Sequence, residues 1–408
     1  MEIFNILMGA SLLKVVILAG VDPTCHLKEF VTTEQRIRSH GYPAESHFLE
    51  TSDGYVLNIF RIPYSPRLHN QKTYRPTVLL QHGLFSNSDC WLNSGPNNSL
   101  AYLLADAGYD VWLGNARGNI YSRNNTKVSV NNPNFWHFDW HEIGINDISG
   151  MIDFITDVTS QSKIHYVGHS QGTTVYFVLM SERPEYNNKI KSSHLLAPCA
   201  YFGHGTSFVF DMLTPLVGTP GGMYTKIFED MELLPQNDMF NRFADTACSV
   251  DGTLGFVCKN LYLLFIGAGY QNTNTTSLQV LIETHPAGAS SNQVTHFLQL
   301  YVSRKFRKFD WGEKKNMALY GQIAPPDYNL SKLSAPVYLY SGNKDGLCDA
   351  KDVDKLVADL PSHVVDYRIP DSTFNHLDFI VAYNMKELVN EPVLRNMYEH
   401  EIFNYATN

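Results

Sequence analysis

The residues from Ile164 to Met180, I-H-Y-V-G-H-S-Q-G-T-T-V-Y-F-V-L-M, constrain the fold more than any other stretch of the chain. An apolar run ends at Val167, Gly168-His169-Ser170-Gln171-Gly172 interrupts it, and an apolar-rich pattern resumes and continues to Met180. This reads as strand, sharp turn and helix. Side chains two positions either side of the serine would collide with neighbouring backbone. Glycine at both places permits a turn tight enough to hold Ser170 strained, with its hydroxyl exposed. The following helix aims its first amides and the positive end of its dipole at the serine, where negative charge develops in acyl transfer. Ser170 is therefore a candidate nucleophile on a strand-to-helix elbow.

The flanking segments extend the pattern. Ser46 to Glu50 and Tyr55 to Ile62 read as strands joined at Ser52-Asp53-Gly54, and Thr77-Val78-Leu79-Leu80 as a short strand in the middle of a sheet. Leu100 to Ala107 is a helical pattern ended by Gly108, and Tyr109 to Leu113 is another buried strand. Ile143 to Val158 reads as an amphipathic helix that delivers the chain to the central strand. Pro184 stops the helix after Ser170, and Ile190 to Leu196 supplies a further strand. This order predicts an α/β fold with a mostly parallel central sheet and right-handed crossovers. From about Tyr201 to Ile323 the alternation lapses, and the stretch reads as a helical cap inserted in the core. Within it Phe208 to Leu234, rich in large apolar residues around Gly218, Pro220, Gly221 and Gly222, suits a mobile lid and a fixed cap equally. The core resumes with a strand at Pro336 to Tyr340, a helix at Lys351 to Leu360, a strand at Val364 to Ile369 and a loop ending at His376. The expected divisions are a leader at 1–20, core at 21–200, cap at 201–325 and core again at 326–408.

At 408 residues the chain exceeds one ordinary core, which agrees with a core carrying a large insertion. A net charge of −9 and the lack of a basic stripe argue against nucleic acid as a partner; Arg304 to Lys308 reads as a solvated helix face. The first twenty residues are apolar apart from Glu2, Asn5 and Lys14 and end in Ala19-Gly20, which reads as a cleaved secretory signal too short to span a membrane. Asn97, Asn124, Asn274 and Asn329 begin glycosylation sequons, in keeping with that route. Six cysteines are too few for a disulfide scaffold. Cys248 and Cys258 bracket a short glycine-containing loop and form a candidate pair, with two buried free thiols as the alternative; Cys25, Cys90, Cys199 and Cys348 cannot be paired from sequence. His137 and His141 stand four residues apart in an aromatic stretch. No glutamate falls between them as in H-E-x-x-H, so the stretch reads as packing rather than a metal site.

A serine hydroxyl needs a base within hydrogen-bond reach and an acid to orient that base. In strand-elbow enzymes these follow the serine in the order acid, then histidine, each on a loop after a later strand. His376 occupies the loop after the last strand, whereas His363 precedes that strand and His400 sits in the tail. Asp345 stands just past the carboxyl end of the preceding strand, on the side of the sheet where ligands bind. Asp349, Asp352 and Asp354 read as capping or surface charges, and Asp378 lies too near His376 to orient it. The expected triad is Ser170, Asp345 and His376. The expected oxyanion donors are the backbone amides of Leu84, in the His82-Gly83-Leu84 loop, and Gln171, with His82 propping that loop. The route calls for no metal or organic cofactor.

Taken together, the chain resembles the acid lipase family that includes gastric and lysosomal acid lipases. The resemblance rests on Gly41-Tyr42-Pro43, Asp53-Gly54-Tyr55, His82-Gly83-Leu84, Asn115-Ala116-Arg117-Gly118-Asn119 and the Gly168 to Gly172 turn. His285-Pro286-Ala287-Gly288, Phe309-Asp310-Trp311-Gly312 and Asn375-His376-Leu377-Asp378-Phe379 complete it. It implies an α/β-hydrolase fold with a cap, acting on triacylglycerols or sterol esters at a lipid-water interface, secreted or lysosomal. It carries the triad and oxyanion roles onto the residues above and implies a cap disulfide near Cys248 and Cys258. Gly346-Leu347-Cys348-Asp349-Ala350, after the acid, departs from the family's usual wording. A carboxylesterase of smaller esters, or a non-catalytic lipid carrier on the same scaffold, are the alternatives; a carrier usually loses the serine or the histidine, and this chain keeps both.

Overall fold

The computed structural model describes residues 30–205, 229–235, 271–361 and 363–405. The leader, Cys25, Cys248, Cys258 and the part of the expected lid before residue 229 lie outside them. The strands in chain order are β1 (Glu45–Glu50), β2 (Tyr55–Ile62), β3 (Thr77–Gln81), β4 (Asp110–Leu113), β5 (Asn124–Asn125), β6 (Ile164–His169), β7 (Ile190–Leu196), β8 (Glu232–Leu233), β9 (Ala289–Ser290), β10 (Val337–Ser341) and β11 (Val365–Arg368). The main sheet has nine strands in the order β1-β2-β4-β3-β6-β7-β10-β11, with β5 beside β2. Pairing is antiparallel at the β1-β2-β4 end and parallel from β4 to β11. The observed fold is the expected α/β fold with a mostly parallel sheet.

Alternation along the central strands builds two cores. Leu79, Trp112, Tyr166, Leu195 and Leu339 face one apolar cluster, while their neighbours Val78, Leu80, Val111, Leu113, Val167, Leu196 and Tyr340 face the other. Successive side chains point to opposite faces, so a strand covered on both sides buries every position, as β3 and β6 do, and a polar member such as His165 is partnered by Ser192 and Glu401. The helices are α1 (Thr33–Ser39), α2 (Leu100–Asp106), α3 (Ser149–Thr159), α4 (Gln171–Glu182), α5 (Thr275–Thr284), α6 (Ser291–Ser303), α7 (Glu313–Tyr320), α8 (Ala350–Asp359) and α9 (Glu391–Tyr405). Helix α4, which follows Ser170, is buried from Gln171 to Ser181, which explains why its sequence lacks a polar face. A π-helical segment (Ile143–Ile148) leads into α3 and packs on α4 through Gly144, where a Cβ would sit 2.8 Å from Val178 Cγ1.

The aromatic stretch around His137 and His141 packs as read, and two other readings of short stretches are corrected. His137 and His141 do not share a helix face, because a single helical turn starts only at Trp140, capped by Asp139. His137 Nδ1 meets the Asp230 carboxylate at 2.8 Å and His141 Nδ1 the Tyr328 hydroxyl at 2.8 Å, while Trp136, Phe138 and Trp140 are buried as packing. Arg304 to Lys308 is not a helix face: α6 ends at Ser303 and Arg304 takes a left-handed cap conformation. Beyond it Phe306 is buried, Arg307 pairs with Asp327 and Lys308 with Glu182. Asp352 is not a surface charge; it lies on the buried face of α8 and accepts hydrogen bonds from the backbone and ring of His204, both at 2.8 Å. Asp349 and Asp354 do behave as read, the first capping α8 and the second pairing with Arg368.

Two of the sequence motifs find a structural use here. Arg117 is buried between Asp53 and Asp147, with its guanidinium 4.0 Å from the centre of the Tyr55 ring. The Asp53-Gly54-Tyr55 turn and the Asn115 to Asn119 loop are thereby joined. Breaking one member would strand a buried charge. Between β9 and β10, α6 joins the same packing: His296 stacks on Trp140 with ring centres 3.6 Å apart and hydrogen-bonds Asp139.

Candidate active site

The elbow forms as the glycine spacing requires. Ser170 sits between β6 and α4 at φ 54° and ψ −121°, a backbone conformation that ordinary residues adopt only under strain. A Cβ on Gly168 would stand 2.6 Å from the Gly172 carbonyl oxygen, and one on Gly172 would stand 2.4 Å from the Gln81 carbonyl oxygen. Neither space admits a methyl group. The Ser170 amide donates to Leu196 O at 3.0 Å, and its carbonyl accepts from the Thr173 amide and hydroxyl at 2.8 and 2.7 Å. The strained residue is thus held by backbone on both sides.

Ser170, His376 and Asp345 meet. His376 Nδ1 donates to Asp345 Oδ2 at 2.8 Å, which leaves Nε2 to accept from the Ser170 hydroxyl, also at 2.8 Å. The second carboxylate oxygen of Asp345 accepts the amides of Leu347 and Cys348 at 2.9 and 2.8 Å. Burial pushes the Asp345 carboxyl up, but the facing imidazole and these two amides outweigh it and hold the group below the ordinary aspartate range. It is an anion at any pH where the imidazole can act as base. The His376 backbone is fixed in turn by His169, whose Nε2 donates to its carbonyl at 3.1 Å; burial pushes the His169 pKa down to about 3, so that ring stays neutral.

The loop after β3 lies beside the serine, since a Cβ on Gly83 would be 3.0 Å from Ser170 Cβ. Among the described residues no acceptor takes the Leu84 or the Gln171 amide. His82 is the prop expected: Nδ1 donates to Gly83 O at 2.7 Å, and Nε2 accepts from the Ala116 amide and the Asn119 side chain, both at 3.1 Å. Burial pushes its pKa down to about 4, so it keeps this tautomer and adds no charge. The side chain of Gln171 donates to Gln293 on α6 at 2.7 Å, tying the elbow to the segment before β10.

Some contributors escaped the sequence reading. Asp378 does not touch the His376 ring; its Oδ2 accepts the Asn375 amide at 2.8 Å and faces the Asn272 side chain, so it shapes the loop that presents the histidine. Burial, first, raises its pKa to about 6, against the opposing bond from Asn375. Cys199 and Cys348 form a disulfide with Cα atoms 5.3 Å apart, and Cys90 is a buried free thiol. Nothing in the spacing of these cysteines signals the pair. Their sulfurs and a ring nitrogen of His376 lie within 4.8 Å of one another, but sulfurs joined to each other offer no thiolate to a metal ion. Of the sequon asparagines, Asn97, Asn124 and Asn329 are exposed, while Asn274 is partly buried and caps α5 through bonds from Thr276 and Ser277.

With that geometry in view, the similarities to known proteins are consistent with one another. Residues 33–95 match the model of a partial alpha/beta-hydrolase lipase region, and residues 76–382 match that of the alpha/beta hydrolase fold. The chain is 42% identical to Lipase 3 of Drosophila melanogaster over 98% of its own length and 99% of that protein. It is 38% identical to human gastric triacylglycerol lipase, covering 90% of each chain. With human lysosomal acid lipase/cholesteryl ester hydrolase the identity is 36%, over 89% of this chain and 88% of that one. No helix among the described residues is long and apolar enough to cross a membrane.

Proposed function

The chain belongs to the acid lipase family of α/β hydrolases, and from that premise we propose that it hydrolyses the carboxylic esters of neutral lipids through Ser170, His376 and Asp345. The observation that carries the reading is the unbroken line from Asp345 through His376 to the Ser170 hydroxyl. His376 Nε2 takes the hydroxyl proton as Ser170 Oγ attacks the ester carbonyl, and Asp345 holds the tautomer and stabilises the imidazolium. The amides of Leu84 and Gln171 receive the oxyanion, each worth a rate factor of about 10² to 10³. The imidazolium then protonates the departing alcohol, and water, activated by the same histidine, releases the fatty acid from the acyl-serine.

The substrate class follows from the relatives, whose names specify triacylglycerol and cholesteryl ester hydrolysis. An insertion at 201–325 acting as a cap over Ser170 suits a water-poor acyl site. Passage through the secretory pathway is supported by the apolar leader, the exposed sequon asparagines and the Cys199–Cys348 disulfide, since structural disulfides persist in oxidising compartments. Asn97, Asn124 and Asn329 are the proposed glycan acceptors, with Asn274 less suited because it is partly buried.

The test is a substrate panel of emulsified triolein, cholesteryl oleate and a short soluble ester, with Ser170→Ala as control, at acid and neutral pH. The proposal expects turnover of at least one emulsion at a rate matching or exceeding that on the soluble ester, lost in the variant. Hydrolysis of the soluble ester alone would instead assign a small-ester carboxylesterase.

A further inference from the structure

The loop that carries Asp345 is joined covalently to the segment behind the nucleophile. Cys199 lies just after β7, and Cys348 lies three residues past Asp345; the bond between them spans 149 residues of sequence. At one end, the Cys199 amide accepts its place from helix α4: it donates to Thr173 Oγ1 at 2.8 Å, and its carbonyl receives the Thr174 hydroxyl at 2.6 Å. Thr173 in turn bonds the Ser170 carbonyl through both amide and hydroxyl. At the other end, the Cys348 amide is one of the two that grip Asp345 Oδ1. The links form a closed ring: Ser170, Thr173, Cys199, Cys348, Asp345, His376 and back to Ser170. Every link but one is a hydrogen bond, and the exception is the disulfide.

Both cysteines are buried, and the chain after Cys199 leans on the same loop, where a Cβ on Gly205 would sit 3.1 Å from Gly346 O. Without the covalent link, the hydrogen-bonded route from the Cys348 amide back to Ser170 runs through Asp345 and His376, the very groups to be positioned. Small displacements of a catalytic group carry large kinetic penalties, because the reacting atoms must be held close to attack geometry before the step begins.

We propose that the Cys199–Cys348 disulfide is a positioning element for the reaction, holding the amide of Cys348 so that Asp345 keeps its distance and angle to His376. The inference rests on the assignment of Asp345 as the orienting acid. Neither cysteine touches the reacting atoms, so the effect reaches chemistry only through the carboxylate.

The test is a double-mutant cycle on the full-length protein, assayed on a soluble ester well below the unfolding midpoint. The pair Cys199→Ala/Cys348→Ala is expected to lower the Tm by roughly 5 to 15 °C. It is also expected to lower kcat by about tenfold or more while KM stays nearly unchanged. In an Asp345→Asn background the same pair should change kcat less than about twofold, because the carboxylate it positions is gone. Equal losses in both backgrounds would reduce the disulfide to a structural staple, and an unchanged kcat in the parent background would overturn the proposal outright. If Asp345→Asn alone has full activity, the assignment of the acid fails instead, which the cycle reads separately.

Should the alanine pair not fold, the same question is put to the wild-type protein with a dithiol reductant. Two electrons and two protons pass from the dithiol, which closes to its cyclic disulfide, and Cys199 and Cys348 become thiols. Alkylation and peptide mass spectrometry then give the fraction of this pair reduced. Loss of kcat in step with that fraction, restored on reoxidation, supports the proposal; full kcat with the pair fully reduced contradicts it.

Discussion

The serine side of the site and the acid-histidine side lie 2.8 Å apart and are held by different means. Ser170 is fixed by main chain: a strained φ of 54°, carbonyls of Gln81 and Gly172 pressed against glycines, and hydrogen bonds from its own amide and carbonyl. Asp345 and His376 are fixed mostly by side chains reaching back to loops. Asp378 holds the Asn375 amide, the Asp345 carboxylate gathers two amides, His169 holds the His376 carbonyl, and a disulfide pins Cys348. A main-chain device resists change by sterics and fails abruptly when a methyl group is added. A side-chain device fails gradually and can depend on pH.

The largest effect expected on either side is at the base. His376→Ala should lower kcat by about 10⁵ to 10⁶ while leaving a folded protein, as measured on a soluble ester alongside circular dichroism. A loss of less than a hundredfold would mean that the side-chain half is not the catalytic half. Asp345→Asn should lower kcat by about 10⁴, because the amide presents the wrong hydrogen-bonding group to Nδ1. An effect mainly on KM would break the assignment of that residue to orienting the imidazole.

On the main-chain side, Gly172→Ala places a methyl 2.4 Å from the Gln81 oxygen, with backbone rather than a movable side chain in the way. Denaturant titration should show a loss of about 2 to 3 kcal/mol, with activity falling as well because the elbow must shift. A neutral outcome would show that the turn has slack the structure does not display.

The smallest effect is a pH slope. The Asp378 carboxyl has its pKa raised to about 6 in the folded protein, against 3.8 ordinarily, so between those values the folded state binds more protons than the unfolded one. Stability therefore rises as pH falls through this window. Relative to Asp378→Asn, which cannot titrate there, the wild type should gain stability on going from about pH 6 to about pH 4. A difference that does not vary with pH across the window would remove Asp378 as a pH-dependent holder of the histidine loop.

The same contrast explains what could be read from the chain beforehand. Gly168, Ser170 and Gly172 announce their turn because sterics act between residues close in sequence, and the apolar runs at the heart of β3 and β6, Val78 to Leu80 and Tyr166-Val167, announce a sheet covered on both faces. Chain order then pointed to Asp345 and His376, whose side chains the fold brings into line with Ser170. The Cys199–Cys348 pair and the burial of Asp352 against His204 were not legible, because each joins segments 149 and 148 residues apart in sequence. His137 and His141 have helical spacing but share no helix, because Asp139 caps a helical turn between them, and the reading of that stretch as packing stands.

The central claim is that Ser170 is the nucleophile presented to His376, and active-site titration with a fluorophosphonate probe tests it most directly. The account predicts one equivalent of probe on Ser170, located by peptide mass spectrometry, with ester hydrolysis lost in proportion to labelling. Hydrolysis that survives complete labelling of Ser170, or a probe found on another serine as activity disappears, would contradict it.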